Sequence, residues 1–427
     1  MDNMMKIGNI RCDELLKACG SPLYVYDEKQ IEEKLKEYCT HFKSERFASD
    51  VIYASKAFTC TAMLKKLIEY DCCLDVVSGG ELFVAKKANF PAERIYFHGN
   101  NKLDDEIVAA LEYGVGTIII DNMYEVDKII HHSEELSKRV NVLIRINPKV
   151  EAHTHEFIMT ANGDSKFGIS IDLKDEIKLM IKKIQNSKYL KFDGFHSHIG
   201  SQIFEREAFV TAIDKMMEFM AEIHRELAIE LRVLNIGGGF GVRYTQEDTP
   251  TKTSLMCQTL ITAIENACDA YQISLEKVCM EPGRSIVAEA GYTLYSVGFT
   301  KKTQTKQFAF IDGGMADNIR PALYEAKYAC DVANKMNAEK SEKYEIAGKC
   351  CESGDIIIHD AKLPKIETGD ILVVYSTGAY GYTMASNYNR LNRPASVFVK
   401  DKKARIVIRR ETYEDQMICD QEEIILK

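Results

Sequence analysis

The chain has 427 residues, 46% hydrophobic and 28% charged, with a net charge of −9. That length buries a large core and accommodates two or three domains. The balance of 55 basic against 64 acidic residues excludes a general nucleic-acid backbone binder, which carries a basic footprint.

In chain order, the N-terminus "MDNMMKIGNIRCDELL" is charged throughout and lacks the apolar core of a secretory signal. No run of about 18 apolar residues marks a membrane span, so a cytoplasmic protein is expected. "SPLYVYD" (21–27) reads as a strand. Then "VIYAS" (51–55), "LDVVS" (74–78), "IYFHG" (95–99), "TIIID" (117–121) and "NVLIRIN" (141–147) recur at a spacing of roughly 21 to 24 residues. They are apolar on both faces, as parallel strands buried on both sides are. Helical patterns such as "TAMLKKLIEY" (61–70) separate them. "FDGFHSHIG" (192–200), "VLNIGGG" (233–239) and "VCMEPG" (278–283) bring the strands to eight. Eight strand–helix units in about 250 residues predict a (β/α)8 barrel over 28–285, with a doubly wound open sheet as the alternative. Beyond it the texture changes to strands joined by short turns, from "YTLYSVGFTKK" to "SVFVKDKKARIVIRRE". This predicts an antiparallel β domain over 286–427, to which 1–27 contributes a strand.

A barrel does its chemistry at the C-terminal ends of its strands. There the first predicted barrel strand delivers Lys56, the third His98, the sixth His198 and the eighth Glu281, while Arg145 lies in the fifth. A partly desolvated lysine is a nucleophile toward carbonyls; the plain alternative is a solvated strand-end lysine. Gly237, Gly238 and Gly239 follow the seventh strand, where backbone N–H groups can meet a phosphate, although tight turns also require glycine. His196 and His198, taken as alternating along a strand, are expected on opposite faces, which disfavours joint ligation of one metal. One of them can stack on a flat ring; either can be a structural histidine. Glu281 can hold a protonated pyridine nitrogen or pair structurally with Arg284. Together, lysine, glycine turn, histidine and glutamate on one barrel face specify pyridoxal 5'-phosphate. No metal is expected.

Thirteen cysteines without regular spacing are not a disulfide framework; reduced, buried thiols are the expectation. "AGKCCESGDIII" (347–358) puts Cys350, Cys351, Glu352 and Asp355 together. If this segment is strand-like, neighbours face opposite ways: Cys350 is a packed thiol, Cys351 faces a cofactor, Glu352 follows at the turn to read the substrate, and Asp355 shapes the Ser-Gly turn.

The motifs "YASKA", "HSHIGSQ", "GGGFG", "EPGRSIV", "DGGMADNIRPALYEAKY", "CESGD" and "GAYGYTMASNYN" resemble those of the alanine-racemase-fold, pyridoxal-phosphate-dependent decarboxylases, and most closely the diaminopimelate decarboxylase family. The resemblance covers essentially the whole chain. It implies decarboxylation of meso-2,6-diaminopimelate at its D-centre to L-lysine by a homodimer with shared active sites. Lys56 matches the lysine that binds the cofactor covalently, His198 the ring-stacking histidine and Glu281 the partner of the pyridine nitrogen. Ser201, Gly237, Gly238, Gly239, Gly283, Arg284 and Tyr380 match the phosphate pocket. Arg284, Arg320, Tyr324 and Tyr380 match substrate contacts. Cys351 and Glu352 match the general acid and the carboxylate that reads the distal ammonium, both supplied by the neighbouring subunit. Ala161, in "EFIMTANGDSKFGI", stands where the family has glycine, a change expected to bear on closure of the mouth loop. Rival readings are a sister decarboxylase acting on D-lysine or D-ornithine, an amino-acid racemase, and a catalytically dead regulatory homologue.

Overall fold

A computed structural model describes residues 3–150 and 165–422; Ala161 therefore lies outside the described residues. The first long strand, β1 (Leu23–Asp27), and the eight that follow it have different destinations. Those eight are β2 (Ala48–Ala54), β3 (Cys73–Val76), β4 (Ile95–Phe97), β5 (Thr117–Ile120), β6 (Val140–Asn147), β7 (Leu190–Ser197), β8 (Val233–Asn235) and β9 (Lys277–Met280). All neighbours pair in parallel, in the order β7-β8-β9-β2-β3-β4-β5-β6. β6 pairs back with β7, from Val140 opposite Leu190 to Ile146 opposite Ser197. The sheet is thus a closed barrel, and the open-sheet alternative falls.

The apolar character on both strand faces has a direct cause. Ile52, Cys73, Tyr96, Ile119, Leu143 and Cys279, one from each of six strands, pack together in one buried cluster. Helices pack along the strands with apolar stripes at helical spacing. Helix Met123–Leu136 buries Val126, Ile129 and Ser133, and Asn122 caps it by accepting the Glu125 N–H at 3.1 Å. Helix Gly79–Lys87 starts the same way, with Ser78 accepting the Glu81 N–H. Among the described residues, no helix is long and apolar enough to cross a membrane.

The barrel forms one compact unit, residues 32–242 and 249–286; the other comprises 1–31, 243–248 and 287–427. The short stretch 243–248 thus groups with the β unit, not with the barrel. The β unit contains β10 (Gly291–Lys302), β11 (Gln307–Ile311), β12 (Cys330–Val332), β13 (Glu342–Ala347), β14 (Ile356–Leu363), β15 (Ile371–Val374), β16 (Ala395–Lys400) and β17 (Lys403–Ile408). Their main path is β14-β13-β11-β10-β1-β16-β17, so β1 does join this sheet. Most pairs are antiparallel, but β11–β13 and β1–β16 are parallel. The sheet is therefore mixed, not purely antiparallel. No tight turn joins either parallel pair: a long crossover precedes β13, and β1 comes from the opposite end of the chain. Leu23, Val25, Leu294, Val373, Val397 and Val399 form the centre of its core.

Candidate active site

The C-terminal end of the barrel is built around one carboxylate. Glu281 follows β9 directly and is 8% exposed. Its Oε1 lies 2.9 Å from His98 Nε2 and accepts a hydrogen bond from Asn235 Nδ2 at 2.7 Å. Its Oε2 is 3.1 Å from His196 Nε2. Burial alone would push the carboxyl pKa up. The charges and hydrogen bonds of His98 and His196 prevail and hold it well below the ordinary glutamate range. Burial lowers His196 to about 4, against the pull of Glu281. The two imidazoles meet edge to face, 4.9 Å between centroids. Arg284 Nη2 donates to Ser201 Oγ at 2.9 Å.

Charged groups ring this nest. Asp75 at the end of β3 is buried, which raises its pKa, while His98, 3.9 Å away, acts in the opposite direction. Arg145 on β6 is lowered by burial and stands 3.9 Å from Asp121, its guanidinium over the Phe167 ring. Lys56 lies in a single 3-10 turn, Ser55–Ala57, after β2. It is exposed in this chain, in contrast to the partial desolvation expected, yet its charge reaches both Asp75 and His198.

His198 lies just past the end of β7 and two residues from His196, and residues two apart along an extended chain share a face. His196 and His198 consequently both feel Glu281, contrary to the opposite-face expectation. His198 Nδ1 accepts the Gly238 N–H at 3.2 Å, which assigns the ring proton to Nε2. Burial, then Lys56 and Arg145, depress its pKa well below the usual range. The ring is therefore neutral. In the glycine turn, Gly237 and Gly239 have φ of +68° and +108°; a Cβ on Gly238 would fall 2.0 Å from the Glu281 carbonyl oxygen. Close backbone packing thus demands these glycines independently of any anion. The Gly237 N–H donates to Asn235 Oδ1 at 2.9 Å. Gly283 packs its backbone against Ala54 and Ala57.

In the β unit, Arg320 is 7% exposed and its Nε donates to Tyr328 Oη at 2.9 Å. Its guanidinium carbon sits 5.4 Å from the Tyr324 ring centre, 5.3 Å from that of Tyr380 and 5.9 Å from that of Tyr244. An aromatic cage around a guanidinium leaves its planar fork oriented for a carboxylate. Cys350 is buried, and burial with the nearby Asp355 pushes its thiol up to about 11. Cys351 and Glu352 are exposed. The two thiols thus differ in burial, and a turn separates them, since 348–355 is not a strand. Asp355 builds that turn by accepting the N–H of Cys350 at 2.8 Å and of Met315 at 2.6 Å. The Cys351 N–H donates to Asn389 Oδ1 at 2.7 Å.

Sequence reasoning named Lys56, His198 and Glu281 but gave no role to Asn235 and Asp75 and none specific to His98. The signal was there: each polar side chain ends an otherwise apolar barrel strand. His98, His196 and Glu281 also have donor atoms close enough to hold a cation. The amide of Asn235, however, occupies one of the carboxylate's oxygens.

Residues 28–288 match the family described as pyridoxal-dependent decarboxylase, pyridoxal binding domain. The chain is 45% identical to the diaminopimelate decarboxylase of Bacillus subtilis over 417 residues, 97% of this chain and 95% of that one. It is 44% identical to that of Staphylococcus aureus, covering 97% of each. Among solved structures, diaminopimelate decarboxylase from M. jannaschii in complex with L-lysine superposes with a TM-score of 0.91 at 35% identity, covering 99% of this chain and 97% of that one. With the barrel, the buried carboxylate nest and the near-complete coverage all in agreement, this chain belongs to the pyridoxal-dependent decarboxylases and, among them, to the diaminopimelate decarboxylase family.

Proposed function

We infer that the chain decarboxylates meso-2,6-diaminopimelate at its D-centre, releasing CO2 and L-lysine, with pyridoxal 5'-phosphate as cofactor. The observation that carries this reading is Glu281, a buried carboxylate held ionised by two histidines. Such a group fits a protonated pyridine nitrogen, and a neutral His198 ring beside it fits a flat aromatic ligand. The donor set thus suits the cofactor, which when bound supplies the electron sink for the charge left by departing CO2.

In this reading Lys56 Nζ would hold the cofactor covalently. Glu281 keeps the proton on the ring nitrogen, and His198 stacks on the ring. Ser201, Gly237, Gly238, Gly239, Gly283, Arg284 and Tyr380 form the phosphate pocket. Because the Gly237 and Gly238 amides already donate within the protein, the Gly239 amide is the principal donor of the turn. Arg284, Arg320, Tyr324 and Tyr380 bind the distal head of the substrate; Arg320 in its tyrosine cage takes the carboxylate and Glu352 the ammonium. A site of buried polar partners rejects substrates that lack those groups. Cys351 Sγ delivers a proton to the carbon that has lost CO2. The exposure of Cys351 and Glu352 supports a homodimer in which each subunit lends this pair to its partner. The compartment we propose is the cytoplasm, consistent with thirteen free thiols.

Mass-spectrometric product analysis tests the reading. L-lysine and stoichiometric CO2 are expected from meso-diaminopimelate. Faster CO2 release from D-lysine or D-ornithine would transfer the assignment to a sister decarboxylase, and epimerisation without CO2 to a racemase.

A further inference from the structure

The proposed reaction uses one of the thirteen thiols. Two others meet elsewhere in the barrel unit. Cys39 lies on helix Glu28–His41, and Cys72 immediately precedes β3; their Sγ atoms are 3.5 Å apart. Both also approach the Tyr70 carbonyl, at 3.6 and 3.7 Å. The turn that presents Cys72 is fixed. Asp71 has φ of 55°, the Cys72 N–H donates to the Leu67 carbonyl at 3.0 Å, and the Arg94 guanidinium bonds the Cys72 carbonyl while pairing with Asp71 at 3.0 Å. The neighbouring Cys73 is no rival, since it packs into the barrel interior with Ile52 and Tyr96.

The two thiols are unequal. Cys39 is half-buried, whereas Cys72 is fully enclosed. Their shared hydrogen bond lowers the Cys39 pKa, and Lys43 and Arg94 act in the same direction against burial. The same bond, together with burial, drives Cys72 upward. An accessible thiol inclined to ionise next to an enclosed one that stays protonated is the arrangement of an attacking and a resolving cysteine.

We propose that Cys39 and Cys72 form a redox-active dithiol that hydrogen peroxide converts to an intramolecular disulfide and a thiol reductant restores. The Cys39 thiolate attacks peroxide; the O–O bond breaks, giving a sulfenic acid and, with one proton, water. Cys72 Sγ then displaces the sulfenic oxygen, which leaves as a second water, and the S–S bond forms. The pair loses two electrons and two protons, and one peroxide becomes two waters. A disulfide is about 2.05 Å long, so the sulfurs close by about 1.5 Å. The bridge turns residues 39–72 into a covalent ring containing β2, Lys56 and helix Thr61–Glu69. Oxidation thereby ties down the segment that carries the lysine.

The test is peptide mapping of the holoenzyme after a small excess of hydrogen peroxide, with thiols blocked and no reduction before digestion. The expected product is one cross-linked peptide pair joining Cys39 to Cys72, lighter by two hydrogens and reversed by dithiothreitol. In Cys72→Ser, dimedone should label Cys39; in Cys39→Ser, Cys72 should stay unlabelled. Oxidised wild type should melt at a higher temperature than the reduced form, and neither variant should show that gain. The wild-type map decides the pairing even if a variant folds poorly. Separate thiols at 39 and 72 under peroxide that oxidises Cys351 would overturn the proposal, as would a bridge from Cys39 to Cys73 or over-oxidation of Cys39 without a bridge.

Discussion

Glu281 and Cys351 occupy opposite physical settings. Glu281 is buried, and its described side-chain partners, His98, His196 and Asn235, all come from barrel strand ends. Cys351 and Glu352 are exposed on a turn, and what fixes that turn is the backbone beneath them, through Asp355 and Asn389. A group that must stay ionised can be completed within one folded unit. A group that must hand over a proton and meet a substrate has to remain open until something closes on it. The most severe test of this contrast is at the open end. Cys351→Ala should lower kcat for CO2 release by about 10²- to 10⁴-fold, the usual worth of a positioned proton donor. Cys350→Ala, one residue away, should leave kcat near wild type and cost stability through the void it makes. Equal kcat losses in a steady-state assay would erase the distinction.

The closed end should respond more gradually. Glu281→Gln keeps the shape and removes the charge, and kcat should fall by about 10²- to 10³-fold, as when one electrostatic partner of a reacting group is lost. His196→Gln leaves the carboxylate in place with one supporter fewer. By analogy with the partners that orient metal ligands, it should cost about 10- to 100-fold. Because neither residue is proposed to contact the distal head of the substrate, KM should change little in both variants. A KM effect as large as the kcat effect would mean that the nest binds substrate and does not tune the cofactor.

How much of this was legible depended on whether the cause was local. The eight barrel strands stood out because burial on both faces leaves short apolar runs, and the residues following those runs were the right ones to inspect. Which of them touch was not legible. Asn235, His98 and Glu281 converge from strands far apart in sequence, and their meeting depends on register, with Asn235 opposite Cys279. The parallel pairs of the β sheet were hidden for the same reason, since β1 finds β16 across nearly the whole chain. The strand argument anticipated that Cys350 and Cys351 differ in burial, although an aspartate-built turn is what separates them. His196 and His198 show the converse error: residues two apart along a strand share a face, so alternation never set them on opposite ones.

The smallest effect expected is on stability, and it sharpens the contrast by its sign. His196 in the barrel is lowered by burial from 6.5 to about 4, so the unfolded chain binds more protons in that window and stability falls as pH drops through it. Asp317 in the β unit is raised by burial from 3.8 to about 7, although Tyr295 and the Gly314 N–H pull it down. There the native state binds more protons, so stability falls as pH rises between about 4 and 7. Denaturant titrations across this range should show Asp317→Asn reducing the loss toward neutral pH, to which the buried Asp75 also contributes, and His196→Gln reducing the loss toward acid. Glu281, held low in the fold, loses its stabilisation on the acid side as well, so His196→Gln should flatten that limb without abolishing it. If Asp317→Asn left the neutral limb unchanged, the buried aspartate would be ionised in the native state, and it would not contrast in sign with His196.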